Sequence, residues 1–471
     1  MNLFNKTKLV ITLGPSTDKL WTYNRETLTI QDYAQAKANF LAMSEEGVNV
    51  MRFNLSHETL PVHEQRLNLI REMNRYAVTP VAVLFDTKGP EIRVNQIQTT
   101  NLEMNLIKFN DEVTITCFNP DTLGNGKQFN VSDSTKTYNM AQDLKLKQKI
   151  YLDDGKLVLE VKKLDVNQGI IKAVSLSQDY YIKSNKRINL VGTNYSLPFM
   201  SDYDRKCIEW TAQVNAEFLA LSFVSKVSEV EEVKQLLKAT NPDCTTKVIA
   251  KIESYEAITN LEEIVQATDG IMVARGDLAL EIGFEHVPYY EEQILYLTNK
   301  YNKFAIVATQ MLDSMETNNL PTRAEVTDCY FAVKLLADAT MTSGETASSQ
   351  DPMNVIKTMK FLTNTAETYN RAHTQKIYTD FKIPAFYEPL MNKLFQLIKN
   401  QEMVILKNFS DKELQIISKL NCNCRFLILD KLENLKLNQN LYRDVTLVNE
   451  EVWKKHKNFD KNIAIIDQKA I

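Results

Sequence analysis

Residues 247–277 read KVIAKIESYEAITNLEEIVQATDGIMVARGD, and this one stretch carries a whole strand–helix–strand unit. Val248-Ile249-Ala250 is a short apolar run that breaks at Lys251 and Glu253. A segment with apolar positions at helical spacing follows. Then Gly270-Ile271-Met272-Val273-Ala274 breaks at Arg275-Gly276-Asp277. Short, continuous, β-branched runs suit strands buried on both faces, as in a parallel sheet.

Outward from this stretch the unit recurs. Before it stand Lys8–Thr12, ending at Gly14-Pro15-Ser16; Val48–Met51, ending at Arg52 and Asn54; Val81–Phe85, ending at Asp86-Thr87-Lys88; and Phe218–Leu221, ending at Ser222. After it stand Phe304–Ala308, ending at Thr309-Gln310, and Asp338–Thr342, ending at Ser343-Gly344-Glu345. Most are separated by about 10–20 residues of helical spacing. One helix start is explicit: Thr322 followed three residues on by Glu325 reads as a capping box. Eight β-then-α units predict a closed (β/α)8 barrel, with its chemistry at the C-terminal ends of the strands. Those ends are where the charged and hydroxyl residues fall.

The third and fourth units are interrupted. From Val94 to Asn189 the pattern alternates, as in Val113-Thr114-Ile115-Thr116 and Leu157-Val158-Leu159-Glu160-Val161, with turn signals at Asn125-Gly126 and Asp153-Asp154-Gly155. A small antiparallel β domain inserted in a barrel loop is expected. A third segment, from about Thr374, holds runs at 403–406, 425–429 and 463–466 between helical stretches, and reads as a small α/β domain. The expected division is 1–88 with 190–370 for the catalytic barrel, 89–189 for the inserted lid and 371–471 for the C-terminal domain.

Composition narrows the function. Fifty-five basic against 59 acidic residues, scattered, give a formal charge of −4, which argues against a nucleic-acid partner. No run approaches the ~20 apolar residues of a membrane helix, and the polar start from Met1 to Lys8 shows no signal peptide. Cys422 and Cys424 form a Cys-Asn-Cys with no further Cys or His nearby, so zinc is not indicated. The cysteine usage suits a reduced, cytoplasmic setting. No GxxxxGK[ST] loop, kinase-type glycine loop or nucleophilic triad is present.

Two clusters carry chemistry. Neighbouring strand ends sit ~5 Å apart, so Glu253 and Asp277 can converge on one divalent cation, with substrate oxygens and water completing a Mg²⁺ shell. Lys251, two residues before Glu253, can reach a phosphoryl group on that metal. Gly276 lets the backbone approach, and free N–H groups at the following helix attract an anion. The same residues equally suit an ion-pair network in the barrel mouth. The second cluster joins Arg52, Asn54, Ser56 and His57 to Asp86, Thr87, Lys88, Glu91 and Arg93: cations for phosphate, oxygens for a hard cation. Thr309, Ser343 and Glu345 could order water or relay a proton, or cap helices. A metal-dependent aldolase or lyase acting on an enolate is the competing enzyme reading, and a silent binding scaffold the non-enzymatic one.

Across nearly its whole length the chain resembles the pyruvate kinase family. The resemblance rests on Thr12-Leu13-Gly14-Pro15-Ser16, Arg52-Phe53-Asn54-Leu55-Ser56-His57, Asp86-Thr87-Lys88-Gly89-Pro90-Glu91-Ile92-Arg93, Ser222-Phe223, Lys251-Ile252-Glu253, 269–278, Ala308-Thr309-Gln310-Met311-Leu312, 321–325 and Ser343-Gly344-Glu345-Thr346-Ala347. It implies transfer of the phosphoryl group of phosphoenolpyruvate to ADP, with Mg²⁺ (or Mn²⁺) and K⁺ as helpers, in a cytoplasmic homotetramer. Glu253 and Asp277 would hold Mg²⁺. Lys251 and Arg52 would neutralise the transferring phosphoryl group. Ser222, Gly276, Asp277 and Thr309 would bind substrate. Asn54, Ser56, Asp86 and Thr87 would cage K⁺. Asn54, His57, Arg93 and Lys186 would meet ADP. Thr309, Ser343 and Glu345 would lie near enolate protonation. Glu91 goes with K⁺ dependence in the family, so K⁺ activation is expected.

The chain departs from the family pattern in places. Arg187-Ile188-Asn189-Leu190-Val191 replaces a usual Gly-Val-Asn-Leu-Pro, Ala279 a usual Gly, Gly283 a usual Pro and Thr342 a usual Leu. Residues 406–413 offer no glycine and carry Asp411 and Glu413 where regulated members bind a sugar phosphate. No activation by fructose 1,6-bisphosphate is therefore expected.

Overall fold

In the main barrel, every strand has both faces buried, and the two faces serve different layers. The computed structural model describes residues 5–118, 121–133, 135–153, 155–193, 196–373, 382–399, 401–420, 424–455 and 463–470. Thr374, Asp154 and Cys422, named above, lie outside these. Eight parallel strands close a ring: β1 (Lys8–Thr12), β2 (Val48–Asn54), β3 (Ala82–Asp86), β4 (Phe218–Leu221), β5 (Lys247–Ile252), β6 (Gly270–Ala274), β7 (Phe304–Ala308) and β8 (Ala339–Thr342). They follow sequence order around the ring, with β8 against β1. The eight apolar runs are these eight strands.

Side chains alternate along a strand. Leu9, Ile11, Met51, Phe53, Val83 and Phe85 join the layer between strands and helices. Phe85 stacks there on Trp210 at 4.5 Å and 5°. Val10, Val50, Leu84, Ala220, Ile249 and Met272 fill the interior. Burying each of the large apolar side chains among them contributes about 1.5–3 kcal/mol. With both faces apolar, the sequence shows continuous runs instead of alternation.

The interior cluster does not stop at the barrel floor. It continues into Met391, Leu394, Leu406, Ile417, Phe426 and Leu441 of the C-terminal region, which thus covers the apolar N-terminal end of the barrel. Polar pegs fix the contact: Asn440 Nδ2 donates to the carbonyls of Asn49 (3.2 Å) and Pro80 (2.8 Å). The C-terminal sheet is parallel, in the order Val445–Asn449, Arg425–Asp430, Met403–Lys407, Ala464–Asp467. The strand Val445–Asn449 was not read from the sequence. It is a central-looking buried run that sits at the sheet's edge, shielded by packing.

Between β3 and β4 a seven-stranded closed barrel is inserted. One pair departs from the antiparallel expectation: Gln128–Ser132 runs parallel to Glu112–Thr116. The reason lies at Asn125-Gly126. Its Asn125 Oδ1 accepts the amides of Lys127 (2.8 Å) and Gln128 (3.1 Å), so the turn launches a strand and does not close a hairpin. A parallel neighbour needs a crossover longer than a tight turn, and the chain between the two strands supplies it.

The hinge into this barrel is anchored by a helix cap. Ser201 caps the helix Asp202–Val214, and Asp204 returns the bond as a capping box. The other oxygen of Asp204 accepts the amides of Lys88 (3.1 Å) and Gly89 (3.2 Å). Gly89 has φ +71°, and an added Cβ would lie 2.8 Å from Ser222 Cβ, so the turn needs glycine on both counts.

Candidate active site

The interior face of each strand ends in apolar residues, and the next inward positions carry the chemistry. After Val50 come Arg52 and Asn54; after Leu84, Asp86; after Ala220, Ser222; after Ile249, Lys251 and Glu253. The two-residue period thus aims the polar ends of four strands into one mouth. They line a cavity of about 390 Å³, together with Ser56, His57, Thr87, Glu91, Arg93, Lys186, Asp277 and Thr309.

Lys251 stands at the centre. Its Nζ donates to Ser222 Oγ (2.8 Å) and lies 3.0 Å from Glu253 Oε1 and 3.3 Å from Asp86 Oδ1. Burial pushes the ammonium pKa down, but Asp86 and Glu253 more than offset it, and the net shift is upward. Lys251 is therefore a fixed positive charge. Arg52 Nε donates to Asp86 Oδ2 (2.7 Å) and its Nη1 to Thr12 Oγ1 (3.0 Å). Asp86 is fully buried, which raises its pKa, yet Lys251 and Arg52 together hold it below the usual carboxylate range. A buried carboxylate thus fixes two cations side by side, an arrangement suited to a dianionic phosphoryl group.

Glu253 behaves differently. Burial drives its pKa up to about 7, against the pull of Lys251 and with the help of Asp277. Its Oε2 accepts the Phe223 amide at 2.7 Å. Phe223 holds φ +59°, an uncommon conformation for a bulky residue, and this turns its amide toward the carboxylate. Among the described residues, no cluster of three or more His, Cys, Asp or Glu forms a ready-made metal cage. Two carboxylates lining one cavity, Glu253 and Asp277, suit a hard divalent cation that takes its other ligands from substrate and water.

Thr309 also lies in the left-handed region, at φ +70°. Arg275 sustains this by donating to the carbonyls of Thr309 (2.7 Å) and Ala308 (3.2 Å), anchored in turn by Asp328 (2.6 Å). Thr309 Oγ1 accepts the Gly276 amide at 2.8 Å, at the start of the helix Arg275–Ile282. That amide, expected to meet substrate, is engaged by Thr309 here.

On the rim, Asn54 Oδ1 accepts the Ser56 amide (3.1 Å) and Thr87 Oγ1 accepts the Ser222 amide (3.1 Å). Arg93 forks onto Glu91 at 2.9 and 3.0 Å, and Lys186 Nζ donates to Asp153 Oδ1 at 2.7 Å. Ser343 and Glu345 are not among the cavity's lining residues. Glu345 is buried and accepts the amides of Leu312 (3.2 Å) and Ser343, which shapes the loops after β7 and β8.

One residue was overlooked as a site residue. Arg187, noted in the sequence as a departure, reaches from the inserted barrel into this cavity, with Nη1 2.7 Å from Asp277 Oδ1. Its guanidinium lies 4.3 Å from the Phe223 ring centroid. The signal was a large cation where glycine was expected, beside a residue already assigned to ADP.

Comparisons with known proteins point to one family. Residues 4–356 match the family model described as Pyruvate kinase, barrel domain. Pyruvate kinases from Mycoplasma genitalium and Mycoplasma pneumoniae are 39% and 40% identical over 368 and 367 residues, covering 77% of this chain and 71% of each relative. A crystal structure of a pyruvate kinase from Cryptosporidium parvum superposes with a TM-score of 0.80 at 26% identity, over 94% of this chain and 87% of that one.

Proposed function

The chain belongs to the pyruvate kinase family of phosphotransferases, and on that premise we propose that it transfers the phosphoryl group of phosphoenolpyruvate to ADP, as the last step of glycolysis. The observation that carries this reading is the convergence of Arg52, Lys251, Glu253 and Asp277 on one cavity at the strand ends.

Phosphoryl transfer asks little covalent chemistry of a protein and much charge positioning. A β-phosphate oxygen of ADP attacks the phosphorus, the bond from phosphorus to the enol oxygen breaks, and the enolate takes up a proton at carbon. Arg52 and Lys251, both held by Asp86, flank the transferring group and neutralise the charge that spreads over its oxygens. Ser222 orients Lys251. Thr309 contributes a hydroxyl beside the carboxylate end of the substrate, fixed there by its strained backbone. Arg93 and Lys186 of the inserted barrel line the cavity together with Asn54 and His57 of the main barrel, and suit the phosphates of ADP. Glu345 acts on the proton transfer through the loops it braces, with Ser343.

Glu253 and Asp277 would hold Mg²⁺ or Mn²⁺, which supplies charge neutralisation on the phosphoryl oxygens when bound. Asn54, Ser56, Asp86 and Thr87 provide oxygens for K⁺. Closure of the inserted barrel excludes water, so that the phosphoryl group reaches ADP and not solvent. Family membership supports a cytoplasmic homotetramer. No described helix is long and apolar enough to cross a membrane.

A lactate dehydrogenase-coupled assay with phosphoenolpyruvate, ADP and Mg²⁺ tests the reading. Pyruvate formation that needs all three is expected, with a higher rate in K⁺ than in a K⁺-free buffer. No pyruvate, or pyruvate formed without ADP, rejects the transfer; equal rates with and without K⁺ reject the K⁺ site.

A further inference from the structure

Arg187 has no role in the reaction as set out above, yet it stands among the metal carboxylates. It begins the short strand Arg187–Asn189 of the inserted barrel, where it pairs in register with Arg93. From there its side chain crosses to the main barrel. The contact with Asp277 is well formed at 2.7 Å, and both side chains are about four-fifths buried, at 19% and 22% exposure. Glu91 and Glu253 add their fields to that of Asp277 around the guanidinium.

The platform beneath is shared. Phe223 presents its ring to Arg187 and its amide to Glu253. One residue therefore seats the cation that neutralises Asp277 and orients the second carboxylate. A guanidinium over an aromatic face and against a carboxylate is a stable, planar fit. A divalent cation drawn to Glu253 and Asp277 must compete with it, because both cations seek the same oxygens and repel each other at short range. The position is also mechanical, since the ion pair joins the two barrels across the cleft mouth.

We propose that Arg187 is a latch carried by the inserted barrel: it neutralises Asp277 before substrate binds, and a divalent metal must displace it, which frees the inserted barrel to move. This rests on the reading of Glu253 and Asp277 as metal ligands. Coupling between two sites is reciprocal, so the latch weakens metal binding by the factor by which metal weakens the latch.

The test uses the full chain without substrate and Mn²⁺ as the probe, titrated by calorimetry. Arg187→Gly is expected to bind Mn²⁺ about tenfold more tightly than the parent chain. Chymotrypsin should cleave within residues 90–189 faster in the variant than in the parent. Adding Mn²⁺ should speed cleavage of the parent and leave the variant unchanged. Arg187→Gln, which removes the charge but keeps a polar side chain, decides the matter if the glycine variant fails to fold. Asp277→Asn separates the two readings. Mn²⁺ binding that is lost in Asp277→Asn but equal in the parent and both Arg187 variants overturns the latch and leaves the metal site standing. Weaker Mn²⁺ binding in the Arg187 variants overturns it too. Mn²⁺ binding absent from the parent overturns the metal assignment and the latch together.

Discussion

At the scale of single residues, the site works because buried charges are held in fixed company. Lys251 cannot lose its proton easily, since Asp86 and Glu253 outweigh the cost of its burial. Lys251→Met should leave the fold intact and lower kcat by at least about 10²–10³-fold, the usual effect of removing one preorganised charge contact. A steady-state assay beside a circular dichroism spectrum checks this, and near-normal turnover would remove Lys251 from its role. His63 gives a different prediction. Burial holds its pKa down to about 4, while its Nε2 contacts the His57 carbonyl at 2.9 Å. The imidazole is neutral in the fold and takes up a proton in the unfolded chain below about 6.5. The unfolded state therefore binds more protons between those two values, and stability falls as pH drops through that window. At pH 5 the loss is about 2 kcal/mol. Comparing melting at pH 7 and pH 5 for the parent chain and His63→Gln should show a smaller acid shift in the variant. The residue types at the strand ends were legible from the sequence. Arg187 as a site residue was not, because nothing local to 187 says that its side chain will cross to Asp277, ninety residues on.

Elements place these residues, and their ends matter more than their middles. The capping box at Thr322 is present as read, with Thr322 Oγ1 accepting the Glu325 amide and Glu325 returning the bond. Glu325 also accepts from Ser314, so the cap ties the helix to the loop after β7. Thr322→Ala should lower stability by about 1 kcal/mol, measured by thermal unfolding. The hinge is the more sensitive joint. Gly89 packs on Ser222, which holds Lys251. Gly89→Ala forces a left-handed alanine against that serine and should cost about 1–3 kcal/mol. It should also lower kcat through displaced Ser222, whereas a melting shift with unchanged kcat would show that the hinge and Lys251 are uncoupled. Strand positions could be read from the sequence because burial on both faces leaves no polar alternation. The parallel pair in the inserted barrel could not, because a turn signal marks where the chain bends and not which strand it joins.

For the molecule as a whole, the C-terminal region acts first as a floor. Its apolar residues complete the interior cluster of the main barrel. Its surface is spent on that contact: Asp411 accepts from Tyr442 and Gln439 at 3.0 Å and faces Lys247 of β5 at 3.5 Å. Ser410 is used as the cap of the helix Asp411–Ser418, with Glu413 closing the box. A phosphate would meet two carboxylates and a hydroxyl already engaged. Fructose 1,6-bisphosphate should therefore leave the phosphoenolpyruvate saturation curve where it is, and a clear leftward shift in an initial-rate titration would contradict this.

The eightfold strand–helix repeat, the interruption after the third strand and the residue types at the strand ends were all legible in one dimension, because each follows from local periodicity and from where an apolar run stops. The tertiary structure decided what those ends do to one another. It set Lys251 between two buried carboxylates, held Thr309 and Phe223 in left-handed conformations, engaged the Gly276 amide and brought Arg187 onto Asp277. Charge, strain and reach across a cleft depend on distance in space, and one-dimensional spacing carries that only for residues on the same element.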